Sequence, residues 1–399
     1  MSKWEEKRLE DIIDVNPPVK LKKGESYPFI DIDKVSPTRR SVTNEDVKIY
    51  DGQSSSKFCN GDTVFSRITP CLENRKIAKV SINGDAALGS TEFYVFRAKK
   101  KKADARFTYY LTSSDAVVLP AINSMTGASG RQRADKRFIQ RLKLNLPDLP
   151  TQERIADILS AYDDLIETNS RRIELLEQAA QELYKEWFVR FRFPGYENVK
   201  FQDGFPKGWI IKRLADYGRI ETGKTPSTEI AENYGGEMMF VKTPDMHGNM
   251  FIIQTEDNLS ERGHNTQPKK LLPANSIMVS CIGTAGVVSI NAETAHTNQQ
   301  INSIILNNPN ELEWLYHTCK SLKETIELFG ATGATMTNLS KGKFEKLKVV
   351  DPGEDLILAY HNKVKLLFDE IKSLMYQNQN LAAQRDMLLP RLMSGKLEV

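Results

Sequence analysis

Two long stretches of the chain repeat their apolar residues every three to four positions. In the first, Ile155, Ile158, Leu159, Tyr162, Leu165, Ile166, Asn169, Ile173, Leu176, Ala180, Leu183 and Trp187 share one seam. In the second, Tyr360, Val364, Leu367, Ile371, Leu374, Asn378, Leu381, Arg385, Leu388 and Leu392 do the same. That period predicts long helices that pair as a coiled coil. Thr151 is the expected N-cap of the first, with Glu153 in its acidic first turn. Asn169 and Asn378 interrupt the seams; each either fixes the register of the pair or faces water. The remaining sequence has short β-like runs at Phe93 to Phe96, Met238 to Lys242, Ile277 to Ile282 and Ile301 to Leu306, separated by Gly, Asn and Pro.

The two halves of the chain also match each other in order. Trp4 and Lys7-Arg8-Leu9-x-Asp11 recur as Trp209 and Lys212-Arg213-Leu214-x-Asp216, an offset of 205. Val64-Phe65-Ser66-x-Ile68 returns as Met278-Val279-Ser280-x-Ile282, Thr126-Gly127-Ala128 as Thr332-Gly333-Ala334, Phe138 as Phe344 and Pro147 as Pro352. An ordered set at nearly constant offset is the mark of a duplicated unit. The predicted fold class is α+β, with two tandem repeated domains joined by two long helices that pair as a coiled coil. The expected boundaries are a first domain over 1–150, a helix over 151–190, a linker over 191–208, a second domain over 209–352, a second helix over 353–393 and a tail over 394–399. The linker rests on Pro194-Gly195 and Gly204-Phe205-Pro206-Lys207-Gly208, a density of helix breakers that ends the first seam.

The length of 399 residues agrees with two cores. No apolar run is long enough to predict a membrane span, and the first residues do not read as a signal peptide. Cys59, Cys71, Cys281 and Cys319 have no paired CxxC spacing, so they are expected to be thiols in a reducing cytoplasm. The net charge of +3 hides an asymmetry: residues 1–150 carry eight more basic than acidic side chains, and the rest of the chain carries five more acidic ones. A basic first domain suits a polyanion. The cluster Arg97, Lys99, Lys100, Lys101 and Lys102 reads as a solvated loop.

Two strings invite an enzymatic reading. Gly218 to Thr225 satisfies GxxxxGK[ST], but Pro226-Ser227-Thr228 stands where a phosphate-binding helix should begin. Asn16-Pro17-Pro18-Val19 resembles the NPP[FY] loop of amino-methyltransferases, with valine in place of the aromatic that would stack on a flipped base. At the repeat offset both strings fall on one corner of the duplicated unit, which favours a shared loop over two unrelated chemistries. The five histidines have no metal-ligand spacing, so no catalytic residue, cofactor or metal is assigned.

The ordered strings Trp209 with Lys212-Arg213-Leu214, Thr222-Gly223-Lys224-Thr225-Pro226-Ser227, Val241-Lys242-Thr243-Pro244-Asp245, Ser280 to Gly286, Thr297 to Asn302 and Leu146-Pro147 through Thr151 to Ile155 carry a family likeness. With them the chain resembles, over essentially its whole length, the specificity subunit of Type I restriction-modification systems. The resemblance implies a non-catalytic subunit whose two target-recognition domains read the halves of a split site in double-stranded DNA. It implies helices that pack as an antiparallel coiled coil and act as a spacer, and partner methyltransferase subunits, two of them, and restriction/translocase subunits that carry the chemistry. Arg can clamp guanine, Asn and Gln can pair with adenine, and Ser and Thr mostly hold phosphate. On that chemistry the first domain offers Arg67, Arg131, Gln132 and Arg133. The second offers Lys242, Thr243, Ser280, Thr284, Asn298, Gln299, Gln300, Thr335, Asn338 and Lys341. For each, a structural hydrogen bond is the competing reading. Tyr184, Trp187 and Phe188 on the first helix, with Met387 and Met393 on the second, are expected to leave an apolar face for methyltransferase helices. The alternatives are a phosphate-loop NTPase, a DNA adenine methyltransferase, or a coiled-coil scaffold without DNA contact.

Overall fold

The computed structural model describes residues 4–43, 46–128, 130–330 and 337–399. Contacts divide the chain into two units, Met1–Thr168 with Asn378–Val399, and Asn169–Gln377. Each unit therefore holds one globular half and a segment of each long helix. The division falls inside both helices, because the two ends of each helix pack on different globular cores.

The duplication is visible in strand order. In the first unit a five-stranded sheet runs Ile13–Val15, Phe93–Ala98, Thr63–Ser66, Ile77–Val80, Ser41–Val42. In the second the order is Gly218–Thr222, Ile301–Leu306, Ile277–Ser280, Val288–Asn291, Phe251–Ile252. The register agrees too, since Phe93 lies opposite Ser66 and Ile301 opposite Ser280. The outermost pair is parallel in both sheets. A ribbon closes each domain, Trp4–Arg8 with Lys143–Pro147 and Ile210–Arg213 with Lys348–Asp351. The halves diverge beside this common sheet: the first adds a four-stranded sheet and the second a three-stranded one.

The long helices run Leu149–Tyr184 and Glu354–Met393. The first begins two residues before Thr151, and its cap is Asp148, whose Oδ1 accepts from the Thr151 amide at 3.1 Å. Thr151 itself is buried. Within the second unit Arg172 pairs with Glu370, and the Tyr360 hydroxyl donates to the Ala180 carbonyl at 3.0 Å. Within the first, Asn378 Nδ2 donates to the Ile166 carbonyl at 3.4 Å and Arg385 pairs with Asp163 at 2.5 Å. As one partner's number rises the other's falls, so the helices are antiparallel. The buried side of the first helix is rotated from the predicted seam. Ile155, Ala156 and Leu159 are buried, while Ile158 and Leu165 are exposed. The cause is packing on the globular core: Gln152 Nε2 donates to the Pro147 carbonyl, and Asp163 accepts from the Tyr110 hydroxyl at 2.5 Å.

That last bond makes a prediction. Tyr110 is almost wholly buried, and Tyr110→Phe removes a donor to a charged acceptor without changing shape. Stability of the first unit should fall by about 1.5–3 kcal/mol, read from denaturant midpoints. An unchanged midpoint would show that the bond to Asp163 adds nothing net.

Candidate nucleic-acid interface

In the first domain the strand Thr63–Ser66 delivers Arg67 to the sheet's end, and the turn ahead of Phe93 brings Glu92 beside it. The loop after Gly127 folds back so that Arg133 bridges Ile68 and Thr126. Gly127 (φ +127°) makes this turn, with the Arg131 carbonyl 3.3 Å from where a Cβ would stand. Arg133 gives Nε and Nη2 to the two oxygens of Glu92, at 2.9 and 2.6 Å. Arg67 Nε reaches the same carboxylate at 3.2 Å while its guanidinium lies 5.4 Å from the centre of the Tyr94 ring. The hydrogen bond from Arg133, and then the nearby positive charge, hold the Glu92 carboxyl below its ordinary range in spite of partial burial. Gln132 is pinned through its backbone to Thr69, and Arg131 is exposed. A cleft of about 410 Å³, lined by Asn16, Pro17, Lys57, Arg67 and Thr91 among others, opens beside this cluster.

In the second domain five of the ten predicted residues, Thr243, Asn298, Gln299, Gln300 and Asn338, meet at one rim. Gln300 Oε1 accepts from Thr243 Oγ1 at 3.2 Å and from Asn298 Nδ2 at 3.1 Å. Gln299 is exposed and accepts from Thr225. Asn338 pairs with Ile282 at the adjoining edge, and Lys341 opens the short helix that follows. Thr284 is exposed, whereas Lys242 is tied to Asp257 at 2.6 Å. Ser280 belongs to the core: it is fully buried and donates to the Thr284 carbonyl while accepting from the Val287 amide. Its expected phosphate contact is withdrawn on that ground. Thr335, like the repeat match at Thr332-Gly333-Ala334, lies outside the described residues.

The corner holding the two enzyme-like strings is shared, as the repeat predicts. Val15 pairs with Phe96 just as Ile220 pairs with Ile304. Asn16 (φ +54°) closes it in the first domain by accepting from the Val95 amide at 2.9 Å. In the second, Gly223 is pressed so tightly on the Thr297 and Asn298 carbonyls that a Cβ would lie 2.2 Å away. The corner thus holds Thr225 against Gln299. The next helical turn after Thr225 begins only at Ala231.

The expected docking residues need the clearest correction. Tyr184, Trp187 and Phe188 are 8%, 6% and 9% exposed and form the centre of the second unit's core. A single widened turn, Lys185–Val189, swings Trp187 and Phe188 inward, where Phe188 meets Tyr360 at 5.1 Å and Trp314 at 6.4 Å between ring centres. Met393 packs on the first unit's core. Met387 remains 65% exposed. Glu92 is the residue that sequence reading missed. Its signal was present, because it precedes Phe93 as Gln300 precedes Ile301.

The comparisons with known proteins agree with this architecture. Residues 1–178 and 206–353 each match the Type I restriction modification DNA specificity domain. The specificity subunit of the Type I restriction enzyme HindI from Haemophilus influenzae is 32% identical over 88% of this chain and 90% of its own length. That of MjaIX from Methanocaldococcus jannaschii is 27% identical over 74% of this chain and 69% of its own. Among solved structures, the S subunit of a Type I restriction-modification system from M. genitalium superposes with a TM-score of 0.58 at 14% identity, over 98% of this chain and 96% of that one, a likeness of fold. With two matched domains, a duplicated sheet order and an antiparallel helix pair, the chain belongs to the specificity subunits of Type I restriction-modification systems.

Proposed function

We propose that this specificity subunit is itself non-catalytic and reads double-stranded DNA in two pieces, one half-site for each globular domain. The observation that carries the reading is the recurrence of a polar rim at the same end of the same sheet in both domains. The helices set the number of unread base pairs between half-sites. Two methyltransferase subunits and, through them, restriction/translocase subunits supply the chemistry in the cytoplasm. Of the five apolar residues expected to dock a partner, Met387 keeps that role.

Independence of the two rims is testable by exchange. Replacing residues 209–352 with the matching segment of a relative of different specificity should change one half-site in the methylation motif and leave the other intact. Mapping modified bases in a host that expresses the hybrid with its partner subunits reads the outcome. Changes in both halves would show that the domains do not read separately.

A further inference from the structure

We propose that three positions, 67, 92 and 133 in the first domain and 281, 300 and 338 in the second, form one recurring base-reading station that selects guanine in the first domain and adenine in the second. The proposal rests on the DNA-reading function above and deepens it. Equivalence of the positions is fixed by backbone bonds. The Arg67 amide donates to the Glu92 carbonyl at 2.9 Å, and the Cys281 amide to the Gln300 carbonyl at 2.7 Å. The Ala134 amide donates to the Arg67 carbonyl at 2.8 Å, and the Leu339 amide to the Cys281 carbonyl at 2.9 Å. Arg133 bridges Ile68 as Asn338 pairs with Ile282.

On this shared frame the side chains differ in kind, Arg, Glu and Arg against Cys, Gln and Asn. In the first domain Glu92 takes the Nε and Nη2 edge of Arg133, which leaves the outer edge of the guanidinium, Nη1 with the second hydrogen of Nη2, without a partner among the described residues. Two parallel N–H donors on a rigid plane are what guanine O6 and N7 accept. Glu92 is thus a positioning residue: it holds Arg133 in one rotamer and steadies Arg67 beside it. In the second domain no guanidinium is present at these positions. Cys281 is buried, Asn338 is exposed, and Gln300 keeps its Nε2 without a partner among the described residues while its Oε1 is held by Thr243 and Asn298. The exposed Asn338 amide carries donor and acceptor together, as adenine N6 and N7 require, and the Gln300 Nε2 adds a further donor.

The test selects duplexes from a random library with the full chain assembled with its methyltransferase subunits. Wild type should select a guanine in the first half-site that Arg133→Ala and Arg133→Lys each lose, discrimination there falling roughly tenfold to a hundredfold. Glu92→Gln, which keeps Arg133 but weakens its clamp, should relax the same position by a smaller factor. Asn338→Ala should relax an adenine in the second half-site alone. In each variant the untouched half-site should persist, which also reports that the chain is folded. Uniform weakening on all duplexes by Arg133→Ala, rescued by Arg133→Lys, would make Arg133 a phosphate contact and overturn the station while leaving DNA reading intact. A wild-type complex that selects no sequence would overturn the DNA-reading function and the station with it.

Discussion

A Trp187→Ala chain should lose about 3–5 kcal/mol of stability in its second unit, enough to threaten folding against a total of about 5–15 kcal/mol. Trp187 projects from the widened turn onto Tyr360, 5.8 Å between ring centres, so its loss leaves a cavity that Phe188, Trp314 and Tyr360 cannot all close. Tyr184 adds to the same cluster, and its hydroxyl lies 3.1 Å from Thr318 Oγ1. Any effect of changes at Tyr184 and Trp187 on partner recovery is therefore expected to come through unfolding of the second unit. Met387→Ser makes the contrast. An exposed side chain of this kind should shift the midpoint by no more than about 0.5 kcal/mol, so any loss of methyltransferase binding there is a loss of contact. Denaturant titration of both variants separates the effects. A Trp187→Ala chain with an unshifted midpoint would return that residue to the docking surface.

Adding seven residues after Asn169 and seven after Asn378 should lengthen the gap between half-sites by about three base pairs. Seven residues preserve heptad phase and add about 10 Å to each helix, against about 3.4 Å per base pair. The structure strengthens the choice of site. The division between the compact units falls immediately before Asn169 and immediately before Asn378, so the insertions spare both cores. The first helix, Leu149–Tyr184, spans about 54 Å, which limits the natural gap to at most about 16 base pairs of straight duplex. An unchanged gap in a lengthened complex that still modifies DNA would show that the helices are not the ruler.

The parts of this fold legible in the sequence are those that local rules determine. Period and offset predicted the two helices and the duplicated unit with its short strands, because apolar spacing and turn residues act over a few positions. The strand Ile301–Leu306 coincides with its predicted run. What failed depended on distant partners. Trp187 and Phe188 end an apolar seam, and their burial follows from Trp314 and Tyr360, more than a hundred residues away. Ser280 looked like a phosphate ligand because its type is right; its hydroxyl is consumed by a loop that the sequence does not place. The four-stranded sheet of the first domain was not predicted, since its strands are short and partly exposed. Glu92 escaped because a lone acid in a basic domain looks unsuited to DNA until two arginines are seen to share it.

The central claim, that one chain reads two separated half-sites, is tested most directly by mapping every methylated base in a genome after the chain is expressed there with its methyltransferase subunits. The result expected is a single motif of two short specified segments separated by a fixed number of unspecified base pairs, absent when the chain is omitted. One continuous motif, or a methylation pattern indifferent to the chain, would contradict the account.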